Sequence, residues 1–172
     1  MPGNADPGPV ISSAQLDVDA APALSEVEYG LILAGHGFHR WMVRCMAAAG
    51  RPGLSPLEIL ILHTVRHRDR PKRLADILML LDIEDAHTAR YAIRKLEAAG
   101  LAVTGRAGKE KLVTATEAGA ALCAACAEVR ERLLAQPVSQ AGPAEAQLSQ
   151  LAALLRGLSG FYQQAARAAV TL

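Results

Sequence analysis

Aromatic side chains make up only 3% of this 172-residue chain, with one Trp, two Phe and three Tyr. Runs of β-branched residues are also scarce outside residues 101–116, so there is little material for an extended sheet. Cysteine is rare and odd in number, at three residues, which excludes a disulfide framework. No apolar run approaches the roughly 18–20 residues of a membrane span. The N-terminus lacks the basic-then-apolar pattern of a secretory signal, so the expected compartment is the cytoplasm, with no membrane partner. No nucleophile elbow, phosphate loop, zinc-protease signature or paired-carboxylate constellation appears. Catalytic residues, a resident cofactor and a metal site are therefore not expected. The net charge is only +1, so the chain as a whole is no polycation.

Apolar residues amount to 51%, much of it Ala and Leu, which favours a mostly helical protein long enough for a real core. The charge is unevenly spread. From His63 to Lys111 there are 11 Lys and Arg against 7 Asp and Glu, net +4, whereas the remainder carries 7 against 10, net −3. A basic excess confined to one segment is the electrostatic footprint of a polyanion-binding surface.

Residues 1–23, with prolines at 2, 7, 9 and 22 and no periodicity, read as a flexible arm. Ser25-Glu26-Val27-Glu28 fits a capping box that would start a first helix, within a segment 24–50. Leu24, Val27, Leu31, Ala34, Phe38, Trp41, Cys45 and Ala48 follow three- and four-residue steps along it, a seam that calls for a partner helix. Gly35 and Gly37 are placed where that helix could bend. Ser55-Pro56-Leu57-Glu58 repeats the capping box and opens a buried helix to about His67. A basic loop around Pro71 follows, then a third helix from Arg73 to about Leu81. Thr116 is placed to cap a fifth helix running to about Ala135, with a loop from Gln136 to Gly142. Pro143 would open the last helix, whose Leu148, Leu151, Leu155, Leu158, Tyr162 and Ala165 form a second unpartnered seam.

The centre of the chain is the stretch from Asp85 to Gly119. Ala89, Ile93 and Leu96 make one apolar stripe, while His87, Arg90, Tyr91 and Arg94 share a different face. Asp85 is an N-cap candidate and Gly100 a left-handed stop. Beyond it, strand-like runs at Leu101–Thr104 and Lys111–Thr116 flank a turn containing Gly105 and Gly108, with Arg106 and Lys109 at its tip. A basic helix suits the major groove, and a small hairpin beside it can reach flanking phosphates or the minor groove.

Here the sequence resembles the winged helix-turn-helix of the MarR family of bacterial transcription regulators. The resemblance is carried by Leu74-Ala75, Lys95-Leu96-Glu97 with Gly100-Leu101, the glycine-containing basic wing, and Thr116-Glu117-Ala118-Gly119. It implies a mostly α fold with a small β-hairpin wing, in which a winged helix DNA-binding region at 54–117 is flanked by N- and C-terminal dimerisation helices, the latter over 118–172. It further implies a homodimer, double-stranded DNA as partner, and an unidentified small-molecule ligand held between the dimer helices and the winged region. Two departures stand out. The spacing from Leu74-Ala75 to the recognition helix is three or four residues longer than usual, and Gly108-Lys109-Glu110-Lys111 replaces the Asp-x-Arg of many family wings.

The expected DNA-binding residues are His87, Thr88, Arg90, Tyr91, Arg94 and Lys95 on the helix, with Arg106, Lys109 and Lys111 on the wing. Arg90 and Arg94 are the candidates for guanine edges, because a guanidinium donates two parallel bonds. Arg66, Arg68 and Lys72 are candidates for backbone contacts. Arg94 and Lys95 have an alternative role in pairing with a nearby acid. Two other functions compete. A winged helix that binds an acidic protein surface would show no sequence preference on DNA. A redox or metal sensor would use Cys45, Cys123 or Cys126, or the histidine pairs His36/His39 and His63/His67. Cys123 and Cys126 sit mid-helix, where core packing is the expected role.

Overall fold

The computed structural model describes residues 22–108 and 110–172; residues 1–21 and Lys109 lie outside that description. The described residues divide into two compact units, one ending at Cys123 and one beginning at Ala124.

In the first unit, helix α1 spans Pro22–Ala48 and α2 spans Pro56–Arg66. The expected start at Ser25 is corrected: the described helix already includes Pro22, and Ser25 is buried within it. The helix runs unbroken through Gly35 and Gly37. The second capping box forms as expected. Ser55 Oγ accepts from the Glu58 amide, and Glu58 Oε2 accepts from the Ser55 amide at 3.1 Å.

A single 3-10 turn at His67–Asp69 leads to a two-residue strand, β1 (Lys72–Arg73), and then to α3 (Leu74–Leu80). Arg73 is therefore a strand residue and the N-cap of α3, not its first helical residue. The third helix ends at Leu80 with Leu81 as its C-cap; Asp82, just beyond, takes φ +52° while Ile83 N–H donates back to Leu78 O at 2.9 Å. That left-handed closure, made here without glycine, begins the connection to α4 (Ala86–Ala98) and takes up part of its length. Strands β2 (Ala102–Ala107) and β3 (Glu110–Ala115) complete a three-stranded antiparallel sheet in the order β1-β3-β2.

Helix α2 is the hub of this unit. It packs against α1, α3, α4 and β3, and Ile59, Ile61, Leu62 and Val65 are buried. Ala89, Ala92, Ile93 and Leu96 of α4 are buried, as are Ile77 of α3 and Val113 of β3. The apolar stripe read from the sequence is thus the face by which α4 is held.

Thr116 caps α5 (Glu117–Arg130), its hydroxyl oxygen accepting from Gly119 N–H at 3.1 Å and donating to Gly100 O at 2.7 Å. Gly119 is required by packing: a Cβ there would collide with the carbonyl oxygen of Leu101.

In the second unit, α5 gives way to a π turn at Glu131–Ala135 and then to α6 (Gln136–Ala141). The loop expected from Gln136 to Gly142 is therefore helical up to Ala141. Proline 137 has no amide hydrogen to give to an i−4 carbonyl, and the wider π turn lies just where the hydrogen-bond ladder must change step. The last helix, α7 (Glu145–Ala169), starts two residues after Pro143, with Ala144 N–H donating to Gln147 Oε1 at 2.9 Å. No residue of α7 is buried; Leu154 is 59% exposed and Phe161 71%.

Among the described residues, no helix is long and apolar enough to cross a membrane.

Candidate nucleic-acid interface

Helix α4 is fixed at both ends. At its start, Asp85 accepts from the amides of His87 at 2.8 Å and Thr88 at 3.2 Å, and from the Thr88 hydroxyl. The Thr88 hydroxyl first, and the His87 amide next, hold the Asp85 carboxyl below its ordinary range. This places Thr88 in the cap, with its hydroxyl engaged. At its end, Gly100 takes φ +71°, the left-handed stop expected there. Glu97 reaches forward, accepting from the Thr104 amide at 2.9 Å, so the helix and the first wing strand are joined by a side chain.

With the apolar stripe buried, His87, Arg90, Tyr91, Arg94 and Lys95 are all exposed. Arg94 and Lys95 flank one aromatic ring: the Arg94 guanidinium carbon lies 6.0 Å from the Tyr91 centroid and the Lys95 ammonium 5.7 Å. Lys95 is also an anchor. Its ammonium sits 2.7 Å from Glu58 Oε1, and Glu58 is only 2% exposed. Burial by itself would raise the Glu58 carboxyl, but Lys95, together with Ser55, outweighs that effect and leaves the group below its ordinary value. In turn Glu58 raises Lys95. Of the two roles expected for Lys95, pairing with an acid is the one its geometry displays.

Two cations of the wing share one of its faces. Residues directly opposite each other on β2 and β3 share a face, and one face reads Ala102↔Ala115, Thr104↔Val113, Arg106↔Lys111. It is apolar near the base, where Ala102 and Val113 are buried, and becomes doubly cationic toward the tip. Arg106 and Gly105, expected in the turn, belong to β2; Gly108, with φ +60°, is in the turn itself. Lys109 lies outside the described residues. Between α4 and the wing runs a groove of about 270 Å³ that brings His87, Arg90, Arg94 and Lys111 together over Leu74 and Val113.

A second clamp, not legible from spacing, fixes the wing to α3. Arg73 donates to both carboxylate oxygens of Asp76, at 2.9 and 3.0 Å, and reaches Glu110 at 3.4 Å. Those contacts raise the Arg73 guanidinium and lower the Asp76 carboxyl. Arg73 thus grips Asp76 with its fork and reaches the wing through a single contact to Glu110. Lys72 closes the Pro71 loop by donating to His67 O and Arg70 O, both at 3.0 Å, while Arg68 is exposed at φ +61°. Arg66 is half-buried.

Little here suits redox or metal chemistry. Cys45, Cys123 and Cys126 are buried as thiols, and burial pushes the Cys123 thiol up, with Arg66 offsetting only part of that. A thiol raised in this way is a poor thiolate nucleophile. Among the described residues, no group of three or more His, Cys, Asp or Glu is placed to hold a metal ion.

Residues 54–119 match a family described as a winged helix DNA-binding domain. The larger fold is that of MarR-type regulators. A mutant of MarR from E. coli, complexed with operator DNA, superposes with a TM-score of 0.65 at 14% identity, over 82% of this chain and 99% of that one. The transcriptional regulator BldR from Sulfolobus solfataricus gives 0.64 at 20% identity, over 81% and 99%. CouR from Rhodococcus jostii RHA1, bound to p-coumaroyl-CoA, gives 0.63 at 16% identity, over 77% and 90%. No curated protein sequence matches the chain significantly.

Proposed function

We propose that the protein is a transcription regulator that binds double-stranded DNA sequence-specifically as a homodimer. The observation that carries this reading is the groove between an exposed helix face and the wing, which brings Arg90, Arg94 and Lys111, with His87 beside them, onto one surface. Phosphates would supply the general attraction and base edges the preference. In this reading α4 lies in the major groove. Arg90 and Arg94 donate to base edges, His87 and Tyr91 contact bases or sugars beside them, and Arg106, Lys109 and Lys111 hold the backbone or the minor groove. Thr88 and Lys95 contribute by setting the helix in place.

The homodimer is supported by two apolar seams that a single chain leaves uncovered. On α1, Leu24, Val27, Ile32, Leu33 and Phe38 are exposed, and on α7 the exposed set includes Leu151, Leu154, Leu155 and Phe161. A second copy would cover them, and two reading heads would then address half-sites about one helical turn apart. Binding over a promoter would repress the gene behind it. A small-molecule effector would act by changing the spacing of the two heads; the fold shared with CouR bound to p-coumaroyl-CoA supports a small-molecule ligand. Selection of duplexes from a random pool by the purified protein tests this reading. A two-fold symmetric consensus is expected; an unenriched pool would refute sequence-specific binding.

A further inference from the structure

We propose that Glu58, a buried residue of α2, is a positioning residue for base reading by Tyr91 and Arg94, acting through Lys95. The inference rests on the DNA-binding reading above and names a residue that reading does not use. Glu58 has two jobs in one carboxylate. One oxygen closes the α2 cap by accepting from the Ser55 amide, and the other accepts from the Lys95 ammonium at 2.7 Å. A capping glutamate is ordinarily solvated; this one is 2% exposed, so its charge requires the Lys95 partner. Lys95 belongs to the recognition helix, 37 residues on in sequence, and its side chain is 45% exposed. An exposed lysine would otherwise sample many rotamers, because its flexible stem costs entropy to hold.

The consequence lies one turn back along α4. Tyr91 is 58% exposed, so the core does little to fix its ring. What flanks it are two cations of its own helix, Lys95 at i+4 and Arg94 at i+3. With Lys95 tethered by Glu58, the ring is held at one edge of the reading face and Arg94 is oriented against it. Without the tether, Lys95 turns to solvent, the ring gains freedom, and Arg94 loses a restraint on its fork. The energy at stake is that of one exposed cation–ring contact, which corresponds to about a two- to fivefold change in an equilibrium. The effect falls on sequence preference, because general phosphate attraction depends on the number of cations and not on the orientation of one ring.

The test uses the full-length protein and a duplex it has selected from a random pool, with a shuffled duplex as reference. Glu58→Gln keeps the shape and the bond to the Ser55 amide but releases the ammonium. Lys95→Met breaks the same link from the exposed side, with urea unfolding confirming that the variant is folded although Glu58 has lost its partner. Both are expected to reduce the ratio of selected to shuffled affinity by about two- to fivefold. The reduction should disappear in a Tyr91→Ala background. Carbon-13 spectra of the three tyrosine rings, with Tyr91 assigned from Tyr91→Phe, should show its resonance moving toward the position of a mobile ring in both variants. An unchanged affinity ratio in both folded variants overturns the proposal, as does an equal loss in the Tyr91→Ala background. A parent protein with no preference between duplexes overturns the DNA-binding reading, and the positioning role with it.

Discussion

Arg106 and Lys111 face each other directly across the two strands of the wing. Like charges in opposite register destabilise a hairpin by a fraction of a kcal/mol up to about 1 kcal/mol. Nothing in the packing of the wing requires them, since both side chains are exposed. The arrangement becomes favourable when an anion lies against both, which is what a phosphate backbone provides. Arg106→Glu is therefore expected to stabilise the protein slightly, by about 0.2–1 kcal/mol in thermal or urea unfolding. The same variant should lose affinity for every duplex. Stability and binding moving in the same direction would contradict this role for the pair.

Helix and wing should separate by type of defect. Arg90→Ala or Arg94→Ala is expected to weaken the selected duplex by about 10- to 100-fold and to relax the preference at the bases that side chain reads. Lys111→Ala should weaken selected and shuffled duplexes alike and flatten the salt dependence by about one unit of slope. Competition binding over several salt concentrations distinguishes the two patterns.

Gly119 lies where the end of the recognition unit meets the start of α5. A Cβ at that position would run into the Leu101 carbonyl, which belongs to the backbone and cannot swing aside. Gly119→Ala is expected to destabilise the folded protein by about 1–3 kcal/mol, measured by urea unfolding. Because Leu101 follows directly on Gly100, the stop of α4, the variant should also weaken DNA binding, by shifting the wing against the helix.

Acid should weaken the fold through Glu58. Its folded-state carboxyl lies below the ordinary glutamate value of about 4.3. A depressed pKa gives stability that is fully present above the unfolded value and is lost as pH falls through the folded one. Asp76 and Asp85 shift in the same direction and add to the slope. Glu58→Gln is expected to cost about 1–3 kcal/mol near pH 7, with the gap to the parent narrowing below the ordinary glutamate value. Unfolding midpoints recorded between about pH 3 and 7 check both the sign and the window.

The exposed seam of α7 should report on assembly. Leu155→Glu places a charge in the middle of the Leu148–Ala165 repeat, where a self-associating helix would have to bury it. Sedimentation should show a dimer for the parent and a monomer for the variant, with α4 and the wing still folded.

How much of this could be read from the sequence depended on how local each signal was. The recognition helix was legible because its cap, its stripe and its stop lie within sixteen residues, and Asp85, Ala89, Ile93, Leu96 and Gly100 each do what their spacing implied. The Ser55 capping box was legible for the same reason. Strand β1 was not, because two residues after Pro71 become a strand only through pairing with Leu112 and Val113, some forty residues later. The Arg73 clamp on Glu110 and the Glu58–Lys95 pair were hidden by the same separation. Local signals also misled. Ser25 and Glu28 had the spacing of a cap, but the described helix already includes Pro22, and Pro137 marked a change of helical pitch instead of a loop.

The central claim is that the convergent cations of α4 and the wing read duplex DNA. Fluorescence anisotropy of the full-length protein on its own upstream DNA and on a shuffled duplex, across a salt series, tests it most directly. The expected result is tighter binding to the upstream duplex, with affinity falling steeply as salt rises. Equal, weak binding to both duplexes with a shallow salt slope would contradict the claim.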